Sequence, residues 1–390
     1  MTASWVITIL PDEPLCTCLK PFCFWQTCAK VAGTSPRMRA RVRLFRYTWG
    51  GWRASLSIPN LTPNIVASGL ISPMNALQSA CLFPKIFAIL AICFACASDG
   101  FAAPCDDDDV WVVSTRRLPG ICRMPLSASV GVERLKPAAN CWERSTLRSL
   151  LDDPTRPLMI FIHGNRYSTV DAKSQALQLA RQAKICCPDA ASVRTVVFSW
   201  PSEQEGILLR DGRIKYERAF ADGHYFAWFL GQIEPQRPVA IMSYSFGAII
   251  TLEAFEDLVA AQRAGRTDVQ PWIHRSGRTN LVFVAPAVRC DALSPCGPYR
   301  ETLNCFNQLT LIINSEDRVL GFFPWLDCKQ NLDALGHVGM PQCWLPTDVD
   351  FTTTDAATVI GTDHGLSVYL RSSVLARRIC TGAIESLVQP

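Results

Sequence analysis

Charged residues and long apolar runs are both scarce in this sequence. Only 18% of the 390 residues are charged, whereas 49% are hydrophobic. No uncharged apolar run reaches the roughly 18 residues that a membrane-spanning helix needs. A disordered chain would carry more charge and fewer apolar residues, and a multi-span membrane protein would contain such runs. We therefore expect a globular protein with a sizeable core and no stable membrane span.

The motifs of three other enzyme classes are missing as well. No Gly-x-Gly-x-x-Gly follows an early strand, which argues against a nicotinamide oxidoreductase. Neither His-Glu-x-x-His nor Gly-x-x-x-x-Gly-Lys occurs, which removes the simplest metalloprotease and nucleotide-hydrolase interpretations. The sequence thus predicts a protein that uses no cofactor and no metal.

An excess of positive charge is absent from most of the chain. Residues 1–73 contain eight Lys or Arg and two Asp or Glu, while the net charge of the whole chain is only +4. The rest of the sequence is therefore net negative, and the basic patch that nucleic-acid binding requires is not expected there.

The segment that follows residue 73 resembles a secretory signal. Met74 is followed by Lys85, an apolar run over 86–97 and small residues up to Ala103. The run is too short to span a hydrocarbon core of ~30 Å. We expect translation to begin at Met74, with residues 1–73 a non-native or disordered extension and residues 74–103 a cleaved signal peptide. Residues 104–390 would then form the folded domain, in a periplasmic or secreted location.

Cysteine is abundant, and its use fits such a location. The chain has 18 Cys, of which eleven follow Ala103. An oxidising compartment permits disulfides, but an odd number leaves at least one thiol unpaired or bonded to another chain. The sequence does not give the connectivity or the oligomeric state.

Short apolar runs alternate with helical patterns from residue 110 onward. The predicted strands are 110–114, 158–162, 195–199, 239–242, 280–285 and 309–313. Their near-continuous apolarity is typical of strands covered on both faces, and apolar stripes at helical spacing over 172–183 and 248–259 lie between them. This order predicts an α/β fold with a mostly parallel central sheet and helices on both faces, and function on the loops that follow the strands. The polar segment 203–222 interrupts the alternation, and a surface hairpin or a lid would account for it.

One strand runs directly into a motif typical of a nucleophile. Residues 238–242 precede Ser243-Tyr244-Ser245-Phe246-Gly247, and a helix follows. A sharp strand-to-helix turn of the form Gly-x-Ser-x-Gly exposes its central serine, because only small residues fit on either side. Ser243 replaces the first Gly here, and Gly247 selects Ser245 as the nucleophile.

A serine nucleophile needs a base and an acid that orients it, and both occur downstream. The strand at 309–313 ends in a loop that contains Glu316 and Asp317. We predict Asp317 as the acid, with Glu316 as the alternative. His364, in a loop between a short apolar run and a closing helix, is the predicted base, and His337 is the alternative.

The transition state of acyl transfer also needs donors for its oxyanion. The backbone N–H of Phe246 is one candidate. The second would come from Asn165 or Arg166, which follow the strand at 158–162. We expect the intervening His163 to orient this loop by hydrogen bonding.

These motifs together resemble the α/β-hydrolase superfamily, in which nucleophile, acid and histidine occur in this order. Phe161-Ile162-His163-Gly164, Phe198-Ser199-Trp200-Pro201-Ser202, the Ser245 turn and the Asp317 strand are similar to an uncharacterised bacterial α/β-hydrolase family, over residues 110–380. That family usually has Tyr-Asn after His-Gly and His-Ser-Met-Gly at the elbow, where this chain has Asn165-Arg166 and Tyr244-Ser245-Phe246-Gly247. The resemblance implies the fold and the reaction type but no substrate.

Two functions are compatible with these residues. The first is a serine hydrolase that cleaves an ester or related acyl bond of a small molecule through an acyl-enzyme intermediate. The second is a catalytically silent α/β-hydrolase fold that acts as a binding module, which the altered elbow and His-Gly loop would suit.

Overall fold

The computed structural model describes residues 109–187, 193–206, 208–326 and 330–388. The predicted extension (1–73), the predicted signal peptide (74–103) and the predicted start of the domain at residue 104 lie outside these residues. Within the described part, no helix is long and apolar enough to cross a membrane. Cys105 and Cys328 also lie outside it, and the thiols of Cys122, Cys141, Cys186, Cys290, Cys305, Cys343 and Cys380 are free.

A nine-stranded sheet organises the described chain. Its strands are β1 (Val110–Ser114), β2 (Gly131–Lys136), β3 (Cys141–Arg144), β4 (Leu158–Ile162), β5 (Arg194–Ser199), β6 (Val239–Tyr244), β7 (Thr279–Val284), β8 (Gln308–Ile313) and β9 (Asp350–Asp355). Their order across the sheet is β3-β2-β1-β5-β4-β6-β7-β8-β9. All neighbours are parallel except β1–β2 and β2–β3, which are antiparallel. The predicted α/β fold class with a mostly parallel sheet is confirmed.

Strands β4 to β7 form the core because every residue in them is buried. Burial on both faces requires cover on both faces, which the helices provide. The helices are α1 (Leu147–Leu151), α2 (Thr169–Cys186), α3 (Leu208–Leu230), α4 (Gly247–Arg263), α5 (Leu335–Val338), α6 (Ala357–Ile360), α7 (Leu366–Arg371), α8 (Ser373–Cys380) and α9 (Ser386–Val388). A capping box between Ser168 and Asp171 begins α2, and Gly265, with φ +69°, follows the end of α4.

The prediction of a surface hairpin within 203–222 is wrong, because α3 occupies most of that segment. Asp211-Gly212 resembles a turn, but both residues are buried in the first part of the helix. A Cβ at Gly212 would lie 2.9 Å from Leu326 Cδ2, so glycine provides space for the loop that follows β8. Farther along the same helix, the buried side chains of Ala219, Phe226 and Phe229 recur at helical spacing.

Three strands were not predicted from the sequence. β3 and β9 are the edge strands of the sheet, and β2 pairs with β3. β9 has no buried residue and is Thr-rich, and β3 is exposed at both ends. Edge strands that face solvent lack the continuous apolarity that identifies the central strands.

Candidate active site

The turn between β6 and α4 holds Ser245 in a strained backbone conformation, with φ +53°. Neighbouring strands stabilise this conformation, because the Ser245 N–H donates to the carbonyl of Val284 and its carbonyl accepts from the N–H of Ala287, both at 3.1 Å. A Cβ at Gly247 would lie 2.4 Å from the carbonyl oxygen of Ile162. Only glycine fits there, as the elbow motif requires.

The two serines of the elbow differ in their surroundings. Ser243 is fully buried, and its hydroxyl is hydrogen-bonded to Thr251 Oγ1 at 2.6 Å. The Ser245 hydroxyl is instead bonded to a ring nitrogen, with Oγ 3.0 Å from His364 Nε2. Ser245 therefore has a potential base as its partner, whereas Ser243 has a structural role.

His364 also contacts a carboxylate. Its Nδ1 lies 2.6 Å from Asp317 Oδ2, so a continuous hydrogen-bonded line runs from Ser245 Oγ through the imidazole to Asp317. The other oxygen, Oδ1, accepts from the backbone N–H groups of Val319 (2.8 Å) and Leu320 (3.0 Å). Because both carboxylate oxygens are engaged and the side chain is buried, Asp317 has a fixed orientation toward the ring.

The two alternative residues lie elsewhere. Glu316 is exposed, and among the described residues no hydrogen bond or ion pair joins its side chain to His364. His337 lies on α5, with Nε2 2.8 Å from the carbonyl oxygen of Ser315. The described chain thus brings together Ser245, Asp317 and His364, and neither alternative joins them.

Two further side chains hold the loop that carries His364. Asn314 Nδ2, at the end of β8, donates to the carbonyls of Gly361 (2.9 Å) and Asp363 (3.0 Å). The Tyr244 hydroxyl donates to the carbonyl of His364 at 2.7 Å, and the two rings are 5.2 Å apart. Burial raises the pKa of Tyr244 well above its usual value, so the phenol stays neutral and remains a donor. Neither residue was predicted from the sequence as part of the site, although Tyr244 directly precedes Ser245 and Asn314 lies three residues before Asp317.

The loop after β4 approaches the nucleophile closely. A Cβ at Gly164 would lie 2.9 Å from Ser245 Cβ and from the Tyr244 ring. Of the two predicted donors in this loop, the Arg166 N–H already donates to the carbonyl of Ser202 at 2.7 Å. The Arg166 N–H is thus engaged within the protein. Donation to an oxyanion by Asn165 or Arg166, beside Phe246, stays a prediction.

His163 anchors the same loop. Its carbonyl accepts from Trp200 Nε1 at 2.8 Å, and its ring stacks between Tyr167 (5.0 Å) and Trp200 (5.8 Å). Burial, with the nearby charge of Arg116, lowers the pKa of His163 to about 3, so the ring is neutral at pH 7. Nδ1 lies 2.9 Å from the Gly164 carbonyl and would donate to it, while Nε2 would accept from the Trp200 N–H at 3.3 Å. His163 thus orients the loop.

An aromatic wall adjoins the elbow. The ring of Phe246 lies 6.0 Å from Tyr216 of α3, which lies 6.0 Å from Phe323 and 5.2 Å from Phe220. Phe246 and Phe323 are buried, and Tyr216 and Phe220 are partly buried. Among the described residues, no three His, Cys, Asp or Glu side chains form a group that could hold a metal ion.

Comparisons with known proteins find solved structures of low sequence identity and one sequence family. Several solved structures are similar. Esterase B from Lactobacillus rhamnosis is 12% identical with a TM-score of 0.33, over 77% of this chain and 92% of that one. An esterase from Pyrobaculum calidifontis is 12% identical with a TM-score of 0.32, over 82% and 95%. A serine hydrolase without a lid from Xanthomonas campestris is 12% identical with a TM-score of 0.29, over 69% and 94%.

No curated protein matches the chain. The sequence model of a family described as "Alpha/beta hydrolase of unknown function (DUF900)" matches residues 140–342. That range covers more than half of the chain and contains the Ser245 turn and Asp317. The protein belongs to this family of α/β hydrolases of unknown function.

Proposed function

We propose that this protein is a serine hydrolase that cleaves an ester or related acyl bond through a Ser245–His364–Asp317 triad. The observation that supports the proposal most directly is the unbroken hydrogen-bonded line from Ser245 Oγ to His364 Nε2 and from His364 Nδ1 to Asp317 Oδ2, at 3.0 and 2.6 Å. Nucleophile, base and orienting acid are the three parts that such catalysis needs.

In the first half of the reaction, Ser245 Oγ attacks the acyl carbon and its proton passes to His364 Nε2. The N–H groups of Phe246 and Asn165 stabilise the oxyanion that forms. The tetrahedral intermediate then collapses: the bond to the leaving alcohol breaks, His364 gives it the proton, and the acyl group stays on Ser245. In the second half, water loses a proton to His364, attacks the acyl carbon and releases the carboxylic acid, and the proton returns to Ser245.

Asp317 keeps Nδ1 of the imidazole protonated, which leaves Nε2 free to accept the serine proton, and it stabilises the imidazolium once formed. Tyr244 and Asn314 support this step by fixing the loop of His364. The aromatic wall of Tyr216, Phe246 and Phe323 favours an apolar acyl group on a small-molecule substrate.

A labelling experiment on the full chain tests the proposal. We expect a fluorophosphonate to label the wild type, and Ser245→Ala to lose both labelling and turnover of short acyl esters. The matched control is Ser243→Ala, which changes the neighbouring serine and should keep the label. A folded wild type without label or turnover would contradict the proposal and favour the silent binding module.

A second pair of variants tests the acid. Asp317→Asn should lower kcat by roughly 10⁴-fold, because the imidazole would hold the wrong tautomer. Glu316→Gln should keep kcat within about twofold, since Glu316 is exposed. Equal losses in the two variants would contradict the role of Asp317, and circular dichroism separates a lost role from a lost fold.

A further inference from the structure

An exposed apolar surface lies on the two segments that flank the aromatic wall. Val319, Phe322 and Trp325 are 54%, 53% and 57% exposed, and Leu209 and Ile214 of α3 are 38% and 42% exposed. We call these five residues the apolar rim. They account for five of the eleven exposed large hydrophobic side chains in the described part, and for both of the aromatic ones. Such a concentration on a folded surface indicates an interaction site.

The two segments form one continuous surface. Arg213 of α3 donates from Nη2 to the carbonyl of Trp325 at 3.0 Å. Gly212 leaves the space that Leu326 fills, and the rings of Phe322 and Trp325 contact each other edge to face, with centroids 5.6 Å apart. The rim is therefore held in place by contacts between the segments.

The rim is also coupled to the candidate active site. Its member Val319 lies two residues after Asp317, and the Asp317 carboxylate accepts from the N–H of Val319. Between its exposed members, Leu320 and Phe323 point inward and are buried, and Phe323 packs against Tyr216 of the aromatic wall. Phe323 thus connects the rim to Tyr216 and, through Tyr216, to Phe246 beside Ser245.

Positive charge accompanies the apolar side chains. Arg210, Arg213 and Arg318 are exposed within residues 209–214 and 318–326. The one acidic residue in these segments, Asp211, is fully buried, and its Oδ2 lies 3.8 Å from Arg166 Nε. The exposed charge within 209–214 and 318–326 is thus entirely positive, while the exposed Glu316 and Glu217 lie just outside these ranges. Aromatic residues that enter the acyl boundary, surrounded by arginines that reach phosphate groups, are the chemistry of an anionic lipid surface.

We propose that the apolar rim docks this protein on an anionic lipid bilayer and presents the ester of a lipid to Ser245. The docking step needs only the rim and its arginines. The identity of the substrate rests on the proposed function, so docking and hydrolysis are measured separately.

Vesicle flotation of the full chain tests the docking. We expect the wild type to float with vesicles that contain phosphatidylcholine and phosphatidylglycerol and to float poorly with phosphatidylcholine alone. Phe322→Ala combined with Trp325→Ala should lower the partition coefficient at least tenfold. Arg210→Gln combined with Arg318→Gln should lower it by roughly fivefold for each charge, and added salt should weaken the wild type.

The matched control combines Leu126→Ala with Ile185→Ala, two side chains that are 79% and 74% exposed and lie outside the rim. This variant should float as the wild type does. Residues 1–108 are common to all the variants, so any lipid binding by that segment cancels in the comparison. Equal flotation of the rim variant and the wild type would overturn the proposal.

Two further readouts distinguish failure of docking from failure of the proposed function. Ser245→Ala should float normally, and the rim variants should hydrolyse a soluble short ester at the wild-type rate while losing activity on vesicle lipid. Short-ester turnover without flotation would overturn the docking alone; flotation without any turnover would overturn the proposed function alone. If the wild type does not float and sedimentation velocity shows a dimer that the rim variant dissociates, the surface binds a second copy and the lipid proposal is wrong.

Discussion

The Tyr244 side chain holds His364, the proposed base, in position. It is next to Ser245 in the chain, yet its hydroxyl bonds to the carbonyl of His364 and its ring packs on the imidazole. Tyr244→Phe removes the hydrogen bond and keeps the ring. We expect kcat for a short ester to fall roughly threefold to tenfold, the value of one net hydrogen bond. Fluorophosphonate labelling should persist, and an unchanged kcat would contradict this positioning role.

Gly164 sets the distance between the loop after β4 and the elbow. A methyl group there would lie 2.9 Å from Ser245 Cβ, so Gly164→Ala must displace one of the two segments. We expect kcat/KM to fall by roughly 100-fold, because a displacement of about 1 Å takes reacting groups out of their productive geometry. Gly120→Ala is the control, since its Cβ would meet only ordinary contacts at 3.7 Å. Equal activity in both variants would show that the loop has room to move.

For single residues, the sequence predicted which side chains form the candidate site, but not which backbone N–H groups are already engaged within the protein. The order of Ser245, Asp317 and His364 followed from motifs, and the structure brings these three side chains together. Their catalytic roles stay predictions. The commitment of the Arg166 N–H to Ser202 could not be predicted, because it depends on where the loop after β5 lies in space.

Helices α3 and α4 are joined by a partly buried titratable pair. His224 Nδ1 lies 2.7 Å from Asp257 Oδ2, and Glu253, which accepts from the Tyr299 hydroxyl, faces the same region. Burial alone would lower the pKa of His224, but the hydrogen bond and charge of Asp257, with the charge of Glu253, outweigh it and raise the pKa above 6.5. The imidazolium is thus more stable in the folded state than in the unfolded one.

A raised histidine pKa stabilises the fold fully below pH 6.5, and this contribution is lost as the pH rises through the folded pKa. We expect the free energy of unfolding of the wild type to decline over that range. Asp257→Asn should flatten the decline and cost roughly 1–2 kcal/mol at pH 6. Urea titrations at several pH values measure both effects. The exposed Glu217→Gln on α3 is the control, and an identical pH profile for Asp257→Asn and the wild type would contradict this assignment.

Elements were predictable where burial fixed their composition. All six predicted strands occur, within one or two residues at each end, because their apolar side chains are needed on both faces. Strand β2, the edge strands β3 and β9 and the helix α3 were not predicted. The edges are polar, and the beginning of α3 contains a turn-like dipeptide whose helical state depends on packing against Leu326, a contact that is distant in sequence.

For the molecule as a whole, a cluster of arginines around Asp109 connects several distant segments. Its carboxylate contacts Arg194 of β5 at 2.7 Å, Arg156 before β4 at 3.0 Å and Arg134 of β2 at 3.3 Å, and it accepts from Trp111 Nε1 at 2.7 Å. Burial alone would raise the pKa of Asp109, but the hydrogen bond and charge of Arg194, with Trp111 and Arg156, hold it below its ordinary value of 3.8. The cluster thus stabilises the fold through an ionised carboxylate.

A depressed carboxyl pKa stabilises the fold fully above the unfolded value, and this contribution is lost as the pH falls through the folded pKa. Asp109→Asn should cost roughly 1–3 kcal/mol at pH 7, since it leaves the buried Arg194 guanidinium with only the exposed Asp152 as a carboxylate partner. The difference from the wild type should shrink below pH 3.8. Thermal or urea unfolding at pH 7 and pH 3 measures it, with the exposed Asp348→Asn as control. A constant difference at both pH values would contradict the electrostatic explanation.

Because His364 follows β9, the order of synthesis on the ribosome determines when the hydrogen-bonded line can form. Ser245 and Asp317 are synthesised first, and the imidazole that joins them is added later. Until residue 364 has been added, the growing polypeptide carries the Ser245 hydroxyl without this imidazole. A chain that terminates before residue 364 would therefore be unable to form the hydrogen-bonded line from Ser245 to Asp317.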